Sequence, residues 1–192
     1  MIEALDAELG RLMNSMTPTQ HSQTQIFFIG DNGTANGVLT GYPAQKGKDS
    51  LYEGGVHVPM CSVGPALTRP GRTVSALTDV TDLFPTILEL LQANVDPTVT
   101  IDGRSLLPIL RDEVEAIRDT VVSELGFTMS NQNRLGTAIR SDRFTLIEFT
   151  NLPSAFYDRS QDPFEQVNLL DGVMTMAQES GYTSLLEALE TL

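Results

Sequence analysis

Residues 24–37 read TQIFFIGDNGTANG. Four apolar residues, Ile26 to Ile29, run straight into Gly30-Asp31-Asn32-Gly33. An apolar run of that length, ended by glycine, is the pattern of a short strand buried on both faces, as in the sheets of α/β proteins. Two oxygen-bearing side chains then follow in a glycine-opened loop at the carboxyl end of the strand, which is where open α/β sheets place their sites. An Asp carboxylate beside an Asn carbonyl supplies two hard oxygen donors that suit calcium or magnesium and not zinc. On local grounds alone, Asp-Asn-Gly is also a common turn sequence, and a plain turn is the commoner outcome.

The neighbouring segments agree with an α/β reading. Upstream, Ile2, Leu5, Leu9, Leu12 and Met16 fall at helical spacing with Glu3, Asp6 and Glu8 on other faces, so an amphipathic helix leads toward the strand, interrupted by the polar TPTQHSQ. Downstream, VHVPMCSVG predicts a second short strand in which Cys61 is a small buried apolar residue. TDLFPTILELLQA predicts a helix with Thr81 or Asp82 near its N-cap, Pro85 in its first turn and a core face of Leu83, Phe84, Ile87, Leu88 and Leu91. Beyond DGRSLLPIL the texture changes. TVVSEL, LGTAIRS and FTLIEFT are short strand-like runs with a turn at Ser141-Asp142-Arg143, the pattern of an antiparallel sheet. A helix from about Val173 to Leu192 closes the chain with Leu185, Leu186 and Leu189 as its apolar contribution. The division expected is an α/β part over residues 1–117, a mixed sheet flanked by helices, and a small antiparallel sheet plus helix over 118–192.

Composition narrows the partners. The 192 residues carry 25 acidic and 12 basic side chains, a net charge of −13, with a pI near 4.4. Nucleic-acid binding rests on clustered Lys and Arg, so a nucleic-acid partner is not expected. One cysteine excludes an internal disulfide, and two histidines, His21 and His57, are too few for a Cys/His zinc cluster. No apolar run approaches the roughly 18 residues of a membrane span. The start is a charged helix rather than a signal peptide, so any export signal is expected upstream of it.

Two further groups could carry chemistry. Lys46 and Lys48 flank Gly47 and could bring a point charge to an anionic oxygen, although a solvated loop lysine is the commoner outcome. Tyr52-Glu53-Gly54-Gly55 reads locally as a turn with Glu53 facing water.

Order and spacing change these odds. FFIGDNG, KGKDSLYEGGVHVP, VTDLFPTILELL, DGRSLLPIL and YDRSQDPFEQVNLL, in this sequence order, resemble the second half of the sulfatase family within the alkaline-phosphatase-like superfamily. The resemblance spreads over nearly the whole chain. It implies that Asp31 and Asn32 donate two ligands to an active-site calcium, with magnesium as the alternative, and that Lys48 contacts the sulfate and the nucleophile. It implies a sulfate-ester substrate and a periplasmic or secreted location. It also implies a formylglycine nucleophile made from Cys/Ser-x-Pro-x-Arg, two more metal-binding aspartates and the acid–base histidines, none of which this sequence contains, so the chain alone is expected not to turn over. The nearest spacing, Thr68-Arg69-Pro70-Gly71-Arg72, falls where sulfatases have a Pro-Gly loop, and His57 stands where the family usually has arginine, which leaves that arginine's ion pair open. A non-catalytic or oligomerising module of the same fold and a phosphonate or phosphate monoester hydrolase are the other readings. An inner strand whose neighbours come from elsewhere would leave an edge and apolar faces to cover, so a homo-oligomer is expected.

Overall fold

The computed structural model describes residues 2–126 and 135–191. The chain forms two compact units that interleave along the sequence. One gathers the described residues up to Ile29 with 60–74 and 80–115; the other gathers 30–59, 75–79 and the described residues from 116 onward.

In the first unit, α1 (Ile2–Asn14) is followed by α2 (Pro18–Gln23). The polar TPTQHSQ does interrupt the first helix, but it forms a turn of its own. Gln20 N donates to Thr17 Oγ1 and Thr17 N donates to Gln20 Oε1 at 2.8 Å, a reciprocal cap that satisfies two orphan amides. Strand β1 (Ile26–Ile29) pairs antiparallel with β2 (Met60–Val63), Ile26 opposite Val63. Both expected strands are present, yet β1 is half-buried along its length and Cys61 is exposed, contrary to the buried positions expected for them. Among the described residues these strands pair only with each other, and a two-stranded ribbon has too little cover to bury both its faces.

Helix α4 (Leu83–Leu90) forms where expected but turns the other way. Asp82 and Thr86 are fully buried, whereas Phe84 is 55% exposed and Leu91 71%. The reason is a set of side chain to backbone bonds. Arg104 N donates to Asp82 Oδ1 at 2.8 Å and Leu106 N to Thr86 Oγ1 at 2.8 Å. Buried backbone amides demand partners, and these polar side chains answer the demand better than leucines could. The following turn, α5 (Leu107–Leu110), buries Leu107 and Ile109 beside the buried Leu106. Thr68 Oγ1 donates to Arg111 O at 2.6 Å and Arg72 pairs with Asp112 at 2.6 Å, so the TRPGR segment is a tied loop.

The second unit is built on a four-stranded antiparallel meander of β3 (Val121–Leu125), β4 (Gly136–Arg140), β5 (Phe144–Phe149) and β6 (Ala155–Asp158), in that order. The turn at Ser141-Asp142-Arg143 joins β4 to β5, with Phe144 N donating to Ser141 Oγ at 3.0 Å. Alternation sends side chains to two faces. On one, Ala138, Ile147, Ala155 and Tyr157 pack with Leu51 and Tyr52. On the other, Ile139, Phe144, Leu146 and Phe156 receive α6 (Met176–Glu190) through Leu185, with Leu186 and Leu189 beside it as the sequence predicts. A Cβ on Gly181 would lie 2.4 Å from the Phe144 ring, so glycine lets this helix reach the sheet. Among the described residues no helix is long and apolar enough to cross a membrane.

Candidate functional site

The loop after β1 is stitched to a four-residue helix, α3 (Glu53–Val56), by backbone hydrogen bonds. Gly30 N donates to Pro59 O (2.9 Å), Gly33 N to Gly55 O (3.1 Å), Thr34 N to Gly54 O (3.0 Å) and Lys48 N to Thr34 O (2.8 Å). Asn36 Oδ1 accepts from Gly47 N at 3.1 Å and its Nδ2 donates to Lys48 O at 3.3 Å. Such contact leaves no room for side chains. A Cβ on Gly33 would stand 2.3 Å from Gly55 O, and one on Gly55 would stand 2.4 Å from Ser50 O.

Asp31, Asn32 and Lys48 are therefore carried by adjacent turns of one hydrogen-bonded loop, with all three side chains exposed. Asn32 Nδ2 donates to Gly33 O at 3.0 Å, which leaves Oδ1 as the atom able to serve a cation. Among the described residues, no three His, Cys, Asp or Glu side chains gather into a metal cluster. Asp31 and Asn32 thus form a pair of hard oxygen donors, a partial set for an ion that takes six to eight.

Glu53 of α3 stands at the centre of a charged network whose other members are mostly far away along the chain. Glu53 is buried, not facing water as the local turn reading had it. Its Oε1 lies 2.8 Å from His57 Nδ1 and 3.3 Å from Arg159 Nη1, and its Oε2 lies 3.3 Å from Arg140 Nε. Burial would raise the Glu53 carboxyl, but the His57 bond and the two guanidiniums outweigh it and hold the group at about 2. His57, at the position where the sulfatase resemblance places an arginine, is thus bonded to Glu53, a contact that becomes an ion pair when the imidazole is protonated. Its imidazole is raised above the ordinary 6.5 by the bond to Glu53, against burial.

A second carboxylate, Glu165, is fully buried with φ of 53° and accepts from Glu53 N through Oε2 at 2.7 Å. Burial raises its carboxyl, and Arg140 opposes that. Arg140 also donates to Leu51 O, and Arg159 to Ser141 O. Of the two lysines that flank Gly47, Lys48 is exposed and Lys46 is the one that turns inward. Its Nζ donates to Glu165 O and to Tyr157 OH (3.2 Å), and sits 4.2 Å and 4.6 Å from the centres of the Tyr52 and Tyr157 rings. Nothing local distinguishes Lys46 from Lys48, or marks Glu53 and Glu165; apart from His57 and Tyr52, their partners lie 87 to 119 residues away. Glu53, His57 and Arg159 of this network, together with Tyr42, Arg143 and Phe164, line an open depression of about 580 Å³.

Comparison with known proteins gives the arrangement its family. The N-sulphoglucosamine sulphohydrolase C-terminal family matches residues 46–191. The chain is 31% identical to arylsulfatase K of Gallus gallus over 180 residues, which takes in 88% of this chain and 32% of the relative. The crystal structure of a phosphonate monoester hydrolase of Agrobacterium radiobacter superposes with a TM-score of 0.78 at 28% identity, covering 100% of this chain and 40% of that one. A protein solved in complex with its substrate D-glucosamine-2-N,6-O-disulfate shares the fold, with a TM-score of 0.79 at 23% identity, covering 99% of this chain and 38% of that one. The chain thus spans about a third of the length of the curated relatives it matches. Matched along most of its length, from Lys46 through the Glu53 network to the end of α6, the chain belongs to the N-sulphoglucosamine sulphohydrolase C-terminal family and has the fold of the C-terminal region of sulfatases.

Proposed function

We propose that this chain is the C-terminal part of a sulfate-ester hydrolase, in which Asp31 and Asn32 are two of the protein ligands of a calcium ion, or of magnesium, and Lys48 is the cation that meets the sulfuryl oxygens. The observation that carries the reading is the backbone bond from Lys48 N to Thr34 O, which ties the lysine to the turn that follows Asp31 and Asn32. The curated relatives being sulfatases supports the choice of ester.

The residues would act by charge and position. Asp31 contributes a full negative charge and Asn32 a carbonyl dipole, both at the end of a strand, so little reorganisation is needed to orient them. Asp31 and Asn32 would hold the calcium ion, whose positive charge would be available to the sulfuryl oxygens. The Lys48 ammonium donates hydrogen bonds to the same oxygens and requires no proton transfer to do so. The attacking group must come from outside these 192 residues, which contain no Cys/Ser-x-Pro-x-Arg; formylglycine is the nucleophile that the sulfatase reading demands.

The test is hydrolysis of an aryl sulfate by the polypeptide that carries this chain. Lys48→Ala and Asp31→Ala are each expected to lower kcat by roughly 10²–10³, the usual cost of one preorganised oxyanion contact. Unchanged kcat in both would remove these residues from the site. The 192 residues alone are expected to show no turnover and to bind calcium no tighter than about millimolar, the weak end of protein calcium sites. Similarity to the phosphonate monoester hydrolase supports a second reading, a phosphonate or phosphate ester substrate. A kcat/KM for a phenyl phosphonate above that for the aryl sulfate would decide for it. The proposal includes self-association through the β1 edge or the α1 face. Light scattering should give a mass well above 20.9 kDa, and a monomer at micromolar concentration would overturn it.

A further inference from the structure

His57 begins a short path of contacts that ends in the loop carrying Asp31, Asn32 and Lys48. Its side chain is 71% exposed at the wall of the depression, so protons reach it from solvent. Its Nδ1 lies 2.8 Å from Glu53 Oε1, one helical turn back, and its own amide donates to Glu53 O at 2.9 Å. Two of the three carbonyls between these residues, those of Gly54 and Gly55, accept from Thr34 N and Gly33 N.

We propose that His57 is a proton-dependent positioning residue: as imidazolium it clamps Glu53 and closes α3, and the Gly54 and Gly55 carbonyls then hold the Asp31–Thr34 loop and, through Thr34 O, the backbone of Lys48.

The charges around the imidazole decide the direction of the effect. Glu53 favours the imidazolium, and Arg159 and Arg140 disfavour it. Asp142 and Arg143 of the β4–β5 turn, together with Tyr42, line the same depression. Glu53 prevails, with burial opposing it, so the folded value lies above the ordinary 6.5. A group raised on folding contributes its stability fully below the unfolded value and loses it as pH rises through the folded one. Neutral His57 still donates one hydrogen bond to Glu53, but a charge-assisted bond is about twice as strong, so the clamp loosens and does not vanish. Glu53 stays ionised throughout, because its two arginines remain in place.

The inference rests on the proposed function only for what the loop is used for, and the experiment reads the loop directly. In the full chain, amide hydrogen exchange is followed at Gly33 and Thr34, the donors to α3, at about pH 6 and about pH 8, with intrinsic base catalysis divided out. Wild-type protection at both amides should fall by several-fold, on the order of tenfold at most, across that range. His57→Arg, whose charge is fixed, should hold protection at the low-pH level throughout, and His57→Gln should show the weaker level at both pH values. An NMR titration, with the ring assigned by His21→Ala, should place His57 above 6.5 and show the midpoint moving down in Glu53→Gln. Equal wild-type protection at the two pH values, or a pH dependence that survives in His57→Arg, overturns the clamp. Should His57→Gln fail to fold, the wild type against His57→Arg still decides. An intact clamp in a protein inactive on sulfate esters would retire the proposed function and leave the clamp standing.

Discussion

Helices α1 and α3 are opposites in sequence and in burial. Thirteen residues of α1 repeat apolar side chains at helical spacing, and none of them is buried. Four residues of α3 read Glu-Gly-Gly-Val, among the poorest helix-forming strings in the chain, and Glu53 and Gly54 within it are buried. Periodicity gives a helix a face to bury; whether that face is covered depends on what packs against it. Helix α3 forms because Glu53, His57, Arg140, Arg159 and Glu165 fix its ends and because its glycines admit the loop at backbone contact distance.

The sharpest way to break this contrast is Glu53→Ala. It takes one carboxylate from Arg140, whose side chain is 4% exposed, and from Arg159, and should destabilise the chain by about 3–5 kcal/mol in denaturant unfolding. A loss below about 1 kcal/mol would mean that the network holds α3 without its centre. Acid should show the same dependence. Glu53 is lowered from 4.5 to about 2, so its contribution is present above 4.5 and lost as pH falls toward 2. That loss amounts to no more than about 3 kcal/mol and should be missing from Glu53→Ala. A mutant acid limb as steep as the wild type's would assign acid unfolding to other carboxylates.

One substitution made twice sharpens the comparison further. Gly55→Ala would drive a methyl to 2.4 Å from Ser50 O and should cost about 1–3 kcal/mol. Gly10→Ala in α1 meets nothing within 4 Å and should stabilise by roughly 0.5–1 kcal/mol, the gain of removing an interior helix glycine. Equal signs in thermal unfolding would sink the contrast. The smallest effect is expected for Leu5→Ser in α1, where 53% of the leucine is exposed: within about 0.5 kcal/mol in dilute protein. A larger loss that grows with protein concentration would show that α1 finds a covering partner in solution.

The sequence was legible wherever the cause was local. Hydrophobic spacing located α1, α4 and α6; apolar runs bounded by glycine or polar turns located β1 to β5; and Ser141-Asp142-Arg143 closed a hairpin because short polar residues bond their own backbone. Strand β6 escaped notice, since Ala155–Asp158 is four residues long with a carboxylate at its end. Asp31, Asn32 and Lys48 could be singled out from motif order, and so could their exposure as loop residues.

What the sequence by itself determined, then, is where most of the helices, strands and turns fall, α3 and β6 excepted, because those choices are settled by neighbours within about four positions. Tertiary structure alone decided which polar side chains go inside and which apolar ones stay out. It buried Glu53, Asp82, Thr86 and Glu165 and left Phe84, Leu91 and Cys61 outside. A charge or hydroxyl enters a core only when partners are waiting to satisfy it. Here one partner of Glu53, His57, is a helical turn away, but the others lie 87, 106 and 112 residues further along the chain, at Arg140, Arg159 and Glu165, beyond the reach of any local pattern.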